Sequence, residues 1–515
     1  MDTPRARRWP GDKPGWVALR RAGRYVFILV ACALAFAVQW LADTFGDVSL
    51  GQILFHWRYL GGSDSIAKGT ANDFLMQCLV WPAAVAALLL WADYRMVRPL
   101  LERIDSARMP RIRRWLTVAW IGLPALAIGA SLSTLGWRTS AWQFIRPPSQ
   151  NDFFASRYVP PNPATLTADK PKNLVLIYVE SLETAYRRTD VFGRDLLAPL
   201  SELHPMTFRS YEQLPGTGYT IAALVSTQCA VPLQIVGVLD WQRQGETAQQ
   251  FLPGATCLGD LLASQGYRNV FMGGASLLFS GKGKFFTEHH FQEAFGREEW
   301  IGKGYSTHGM SGWGLHDDDL FDQAKAEIRT LHKAGQPFNL TVLTVDSHFP
   351  AGHLSESCRR RGAKALDEIV ECTAAMVADL VKFVRTEGYD SDTNIVVLGD
   401  HLSPPNTLAD PLSRVGTRTI YNGFFARTMP TPNRTALVHF DMLATILEFI
   451  GLHAEGGRAG LGFSAFGPPP TPFPTALSRA ELGEHTLSPS RAYLRLWEPV
   501  APKPASGPAS KAPPP

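Results

Sequence analysis

Hydrophobic residues are distributed along the chain in two regimes. Near the N-terminus lie three long apolar runs, residues 25–42, 74–91 and 115–135, none of which contains a charged side chain. Each has about the length needed to cross a hydrocarbon core of about 30 Å as a helix. Pro82 and Pro124 interrupt the second and third runs, which a helix buried in a soluble core tolerates poorly and a membrane helix can absorb. Beyond residue 171 the runs shorten to 173–179, 269–272, 339–345 and 394–398, rich in Val, Ile and Leu and bounded by polar residues or glycine. Continuous apolar stretches of this length suit strands covered on both faces, as in a parallel sheet. Between and after them, residues 220–228, 258–265, 320–334, 365–386 and 439–450 read as helices. The alternation predicts an α/β domain with helices on both faces of the sheet.

Charge separates the same two regions. The chain of 515 residues carries a net charge of +4, with only 19% charged residues against 45% apolar ones. Residues 1–114 have a balance of +7 and the remainder −3. Lys and Arg number seven before the first run, two between the first and second, and seven between the second and third. By the positive-inside rule this alternation puts the N-terminus in the cytoplasm and, after three crossings, everything beyond about residue 136 on the other side. The basic residues flank membrane runs, so nucleic acid is not an expected partner. No small-residue cleavage site follows the first run, so an uncleaved anchor is expected.

Cys32 and Cys78 fall in membrane runs, whereas Cys229, Cys257, Cys358 and Cys372 fall in the exported part. Four cysteines there allow three connectivities. The sequence-local pairs, Cys229 with Cys257 and Cys358 with Cys372, are favoured. Residues 147–171 read as a linker, and the Pro-rich stretch from about residue 468 as a disordered extension. The expected organisation is therefore an anchor (1–136), a linker (137–170), a catalytic domain (171–467) and a tail (468–515).

Ligands in open α/β sheets bind beyond the carboxyl ends of strands. Glu180 follows the first strand, Asp346 and His348 follow the third, and Asp400 and His401 follow the fourth. Such a set of oxygen and nitrogen donors suits Mn, Mg or Zn. The turn LPGTGYT leads into the helix at Thr220, where unpaired backbone N–H groups favour a phosphate or an alkoxide. A threonine hydroxyl needs activation to act as a nucleophile. A cation held by Glu180, Asp400 and His401 could supply it, with Thr217 a rival in the same turn. Asp317 and Asp318 are either a second acidic site or, the better reading, acids at a helix start.

The ordered motifs VESLETAY (179–186), LPGTGYTIA (214–222), CLGDLL (257–262), GGASLLFSGKGKFF (273–286), WGLHDDDLFD (313–322), LTVDSHFP (343–350) and GDHL (399–402) resemble the phosphoglycerol transferase I family. That family is related to lipoteichoic acid synthase within the alkaline phosphatase and sulfatase superfamily. The resemblance covers roughly residues 170–465 and implies a sulfatase-like α/β/α sandwich behind three transmembrane helices. It further implies that Thr220 takes phosphoglycerol from phosphatidylglycerol and passes it to a periplasmic glucan, with release of diacylglycerol. Glu180, Asp400, His401 and Thr220 would hold a Mn2+ or Mg2+ ion. His348 and Lys282 would bind the phosphoglycerol group, Lys282 standing where the synthases carry Arg. Phe349 replaces a second His of the family pattern and is given no catalytic role. CAVPL at 229–233 lacks the spacing and Arg of a sulfatase nucleophile motif, which disfavours a sulfatase. A phosphoethanolamine transferase stays open as the alternative.

Overall fold

A computed structural model of the chain describes residues 14–46, 48–55, 72–97, 99, 110–141, 152–235, 244, 248–468, 479–486 and 488–499. It divides into two compact units, Met1–Ile145 and Arg146–Pro515.

The first unit is helical. Helix α1 (Pro14–Phe45) contains the first apolar run. Helix α2 (Trp81–Ala92) is flanked by π-helical turns at Met76–Val80 and Asp93–Val97, and Pro82 falls directly after the first of them. Helix α3 (Pro110–Arg138) contains the third run and carries Pro124 inside. Two segments, Ala22–Phe45 and Asn72–Met96, are long and apolar enough to cross a membrane among the described residues. Several side chains of α3 lie outside the described residues, so its reading as a third span stays an expectation. Large apolar side chains face outward from these helices, among them Leu88 on α2 and Leu126 on α3. Outward-facing apolar surface on this scale suits a lipid environment.

The second unit is built on a six-stranded sheet. Its strands are β1 (Asn173–Val179), β2 (Arg268–Gly273), β3 (Glu293–Phe295), β4 (Phe338–Leu343), β5 (Thr393–Gly399) and β6 (Asn422–Phe425). They lie in the order β3-β2-β4-β1-β5-β6, parallel throughout except for the β5–β6 pair. Helices α4 (Thr220–Cys229), α5 (Leu258–Ser264), α6 (Lys282–Glu288), α7 (Asp317–Ala334), α8 (Leu366–Thr386) and α9 (Asp441–Phe449) belong to the same unit.

Alternate residues of β1 serve opposite layers. Val175, Ile177 and Val179 join one core with Leu320 and Ile328 of α7 and Val377 and Val381 of α8, all buried. Each such side chain contributes about 1.5–3 kcal/mol on burial. On the other face, Tyr178 is hydrogen-bonded to Thr227 of α4 at 2.6 Å. Asn269 of β2 donates to Gly259 O of α5, and Asn394 of β5 to Phe449 O of α9. Both disulfides have the expected sequence-local pairing, Cys229–Cys257 and Cys358–Cys372.

Two segments depart from the sequence expectation. Within the expected linker, Phe153–Arg157 is a short helix with Phe154 buried, and Thr167–Ala168 pairs with Leu452–His453. Within the expected disordered tail, Arg491–Leu494 and Arg495–Trp497 are helical turns. Tyr493 is fully buried there, its hydroxyl bonded to the backbone of Gln234, and Trp497 packs on Phe251. A few aromatic anchors outweigh a Pro-rich composition because each buries a large apolar area.

Candidate active site

Strands β1 and β5 are neighbours in register, with Val179 opposite Gly399. Glu180 and Asp400 therefore leave the sheet side by side at its carboxyl edge. Gly399 is required by close approach, since a Cβ there would lie 2.0 Å from Leu182 O. Both carboxylates are buried, as is His401. His401 Nε2 lies 3.3 Å from Asp400 Oδ2 and 3.6 Å from Glu180 Oε1.

Surrounding hydrogen bonds fix each of the three. Asp400 Oδ1 accepts from the amides of Ser181 and His401, at 2.7 and 2.9 Å. Glu180 Oε1 accepts from Ser181 Oγ at 2.7 Å. His401 Nδ1 donates to Leu402 O at 2.9 Å, which turns Nε2 towards the carboxylates. A backbone acceptor on one ring nitrogen commonly orients a histidine that ligates through the other. His439, which the sequence reading missed, donates from Nε2 to Asp400 O at 2.8 Å.

Thr220 opens helix α4. Its N-cap is Tyr219, in extended conformation, so Thr220 is the first helical residue and not the cap. Its hydroxyl donates to Glu180 Oε2 at 3.3 Å. The Tyr178–Thr227 bond ties the same helix to the strand that leads into Glu180, setting the height of Thr220 above the cluster. Thr217, the rival hydroxyl, is fully buried; it donates to Leu214 O at 2.8 Å and accepts from Leu214 N at 3.1 Å. It holds the turn closed and is not available as a nucleophile. Gly218 leaves room for Gln213, whose side-chain oxygen accepts from Leu402 N and so braces the His401 loop.

The donor set fits a divalent cation. Ligand atoms of Glu180, Asp400 and His401 all lie within 4.8 Å of one another. Asp400 Oδ2 is buried without a hydrogen-bond partner. Burial, then the charge of Glu180, pushes the Asp400 carboxyl up to about 7. His401 is raised because the charges of Asp400 and Glu180 outweigh the burial that opposes them. Two carboxylates crowded in a dry site with an orphaned oxygen are poorly matched to each other and well matched to a cation.

His348 and Lys282 are less exposed to solvent than their chemistry would suggest on a surface. Lys282 begins α6, is 3% exposed, donates to Phe279 O at 3.0 Å and lies 4.7 Å above the Phe279 ring. His348 donates from Nδ1 to Phe349 O at 2.8 Å. Burial, together with the charges of His401 and Lys282, lowers its pKa to about 4, so its Nε2 carries a lone pair at neutral pH. Ser347 donates to Glu180 O at 2.6 Å, which joins the His348 loop to the cation cluster.

Asp346 and Asp317 do not join the cluster. Asp346 accepts from His316 Nδ1 at 2.6 Å and from Asp317 N at 3.1 Å, while Asp317 accepts from the amides of Val345 and Asp346. This reciprocal lock ties the end of β4 to the start of α7. Asp317 thus begins the helix as expected but is fully buried. Glu183, also missed, is buried in an ion pair with Arg418 and accepts from Ser403 N at 2.8 Å. No local signal marked His439, Glu183 or Arg418, since each acts across a long stretch of chain.

A family model described as Sulfatase matches residues 172–451. The chain belongs to the sulfatase family. Among curated relatives, Phosphoglycerol transferase I of Xanthomonas euvesicatoria pv. vesicatoria (strain 85-10) is 35% identical over 373 residues, 71% of this chain and 51% of the relative. Phosphoglycerol transferase I of Escherichia coli (strain SMS-3-5 / SECEC) is 34% identical over 362 residues, 67% of this chain and 45% of the relative. The chain spans about half the length of the curated relatives it matches. Among solved structures, the lipoteichoic acid synthase LtaP from Listeria monocytogenes aligns with a TM-score of 0.45 at 14% identity, covering 68% of this chain and 94% of that one.

Proposed function

We propose that the chain is a metal-dependent phosphotransferase that moves sn-glycerol 1-phosphate from phosphatidylglycerol, through Thr220, to a periplasmic glucan. The observation that carries this reading is the Thr220 hydroxyl directed at Glu180 Oε2 on the rim of the buried Glu180–Asp400–His401 cluster. The naming of the relatives as phosphoglycerol transferases supports the choice of group transferred. The membrane anchor is read as three helices with the N-terminus in the cytoplasm and the catalytic domain in the periplasm, which would keep a lipid donor at high local concentration.

A Mn2+ or Mg2+ ion held by Glu180, Asp400, His401 and Thr220 Oγ1 would lower the pKa of the hydroxyl and neutralise charge on the phosphoryl group. Thr220 Oγ1 gives up its proton and forms a bond to phosphorus as the bond to the diacylglycerol oxygen breaks; that oxygen takes up a proton and diacylglycerol leaves, with phosphoglycerol on the threonine. Lys282 offers a cation for the phosphoryl oxygens, although without the two-pronged geometry of Arg. His348 is neutral at pH 7, and its Nε2 accepts a hydrogen bond from a hydroxyl. In the second half-reaction the acceptor hydroxyl gives its proton to such a base while its oxygen attacks phosphorus, and Thr220 is released. Positioning and charge neutralisation supply most of the rate in transfers of this kind.

The experiment is to incubate the full-length protein in detergent micelles with Mn2+ and headgroup-labelled phosphatidylglycerol. Label covalently held on the tryptic peptide containing Thr220, with diacylglycerol released, supports the reading. Labelling only from phosphatidylethanolamine would overturn the choice of donor.

A further inference from the structure

Away from the cation cluster, three helices of the second unit converge on one buried point. Cys229 is the last residue of α4, Cys257 is the N-cap of α5, and His289 is the C-cap of α6. All three are buried, His289 being 2% exposed. Both sulfurs and a ring nitrogen of His289 lie within 4.8 Å of one another. Helices α4 and α6 begin at Thr220 and Lys282, so this point braces the far ends of the helices that present those two residues.

His289 is held as a metal ligand is held. Its Nδ1 is bonded to Asp260 Oδ2 at 2.9 Å, and the same oxygen accepts from Cys257 N at 2.7 Å. Burial opposes ionisation of Asp260, but His289, the Cys257 amide and His290 together keep its carboxyl below its ordinary value. A carboxylate on one ring nitrogen orients a histidine to ligate through the other. That other nitrogen, Nε2, is buried and has no hydrogen-bond partner. A buried polar atom left in this way costs about 1–3 kcal/mol, and the Cys229–Cys257 disulfide has no proton to offer it. The backbone is fixed as well. Asn269 Nδ2 donates to Gly259 O and to His290 O, each at 2.9 Å, and a Cβ on Gly259 would lie 2.0 Å from His289 O.

We propose that the reduced protein holds Zn2+ between Cys229, Cys257 and His289, and that this metal joins α4, α5 and α6 where the disulfide joins α4 and α5 alone. Two thiolates and an imidazole are zinc donors, with a water completing the usual four. They differ from the oxygen-rich set at Glu180 and Asp400, so donor softness sorts different cations to the two places. In the chain before oxidation both cysteines are thiols; Zn2+ takes the place of their two protons, which pass to solvent. A disulfide oxidant then accepts two electrons, the S–S bond of Cys229 and Cys257 forms, and Zn2+ leaves. A dithiol reverses the step: it becomes a disulfide, and its two electrons and two protons restore the thiols. None of this rests on the transfer reading.

The test uses full-length protein in micelles, reduced with dithiothreitol in urea, returned to buffer and freed of reductant without air. Alkylation and mass spectrometry confirm six free thiols. Co2+ is the probe, because a thiolate-to-cobalt charge-transfer band reports sulfur ligation and the Glu180–Asp400–His401 cluster has no sulfur to give. Reduced wild type develops the band, Zn2+ abolishes it, and oxidised wild type shows none. His289→Phe keeps a ring against Phe285 but loses the ligand, and its affinity for sulfur-bound Co2+ falls by about ten-fold or more. The double variant Cys229→Ser, Cys257→Ser keeps the other four thiols and gives no band. Zn2+ also returns the circular dichroism of reduced wild type to that of the oxidised protein. The proposal is overturned if reduced wild type gives no band, if either variant gives a band of equal strength and affinity, or if the reduced protein stays unfolded with Zn2+ present.

Discussion

Thr220 donates its hydroxyl to Glu180 Oε2 across 3.3 Å, although 40 positions of sequence separate the two residues. The contact depends on two independent supports for helix α4. The Tyr178–Thr227 bond fixes it against β1, and Cys229 at its last position is covalently joined to Cys257 at the start of α5. The hydroxyl thus reaches the cluster from the free N-terminal end of a helix anchored twice near its C-terminus.

Replacing Thr220 by Ala is expected to lower phosphoglycerol transfer by about 10³-fold or more and to abolish the covalent adduct. Thr220→Ser keeps the hydroxyl and retains part of both. Thr217→Ala, by contrast, leaves the adduct and lowers stability by about 1 kcal/mol, the worth of an ordinary hydrogen bond. Mass spectrometry of the trapped protein separates the three variants; an adduct persisting in Thr220→Ala would reassign the nucleophile.

Chelation is expected to remove activity and to lower the thermal midpoint, because it leaves the carboxylates of Glu180 and Asp400 facing each other. In the chelated protein Asp400→Asn restores stability while remaining inactive. Burial raises the Asp400 carboxyl to about 7. Its ionisation therefore weighs against folding increasingly as pH rises from about 4 towards 7, by an amount on the order of a few kcal/mol. Calorimetry of both proteins with and without Mn2+ reads the effect, and a chelated Asp400→Asn protein less stable than wild type would refute it.

The pH dependence from His439 runs the other way. Burial holds its pKa at about 4, below the ordinary value of about 6.5. Between those values the unfolded chain binds the extra proton, so this residue's contribution to stability is complete above about pH 6.5 and is lost as pH falls towards 4. His439→Asn removes the titration, and its urea midpoint falls less steeply on acidification than that of wild type. Parallel slopes for the two proteins would rule this out.

Breaking the ion pair between partly exposed Arg418 and fully buried Glu183 by Arg418→Ala leaves Glu183 uncompensated in the interior. The expected cost is about 3–5 kcal/mol, read by denaturant unfolding. Because Glu183 also receives the amide of Ser403, activity falls as the His401 loop loosens. A loss under 1 kcal/mol would mean that the pair is screened by water.

Serine at both Cys229 and Cys257 is expected to cost about 3–4 kcal/mol, the loop-closure value for a bridge spanning 28 residues. Activity at low temperature, where the domain stays folded, drops because α4 loses one of its two attachments. Unchanged kinetics would show that the Tyr178 contact suffices.

Much of this was readable because buried parallel strands announce themselves as continuous apolar runs. The four central strands were found this way, and the residues just after three of them carried the candidate chemistry. Glu293–Phe295 and Asn422–Phe425 were not found, since three or four residues on a sheet edge hold too little pattern. The expected third strand ran on to Val345, whereas β4 stops at Leu343. Thr344 still gives its backbone N–H to Tyr178 O, while its hydroxyl receives the amide of Glu180, a tertiary bond that propensity does not encode. The supporting residues His439, Glu183 and Arg418 were invisible for the same reason: their partners lie up to 235 positions away. The aromatic anchors Tyr493 and Trp497 were hidden inside a composition that otherwise reads as unfolded.

The pairing of Val179 with Gly399 constrains how sequences of this kind can diversify. The connections can accept insertions only away from Thr220, Ser347 and the His401 loop, whose hydrogen bonds reach the cluster or brace it. A single deletion inside β1 or β5 would slide one carboxylate out of step with its neighbour, and only a matched deletion in the paired strand would bring the two back together.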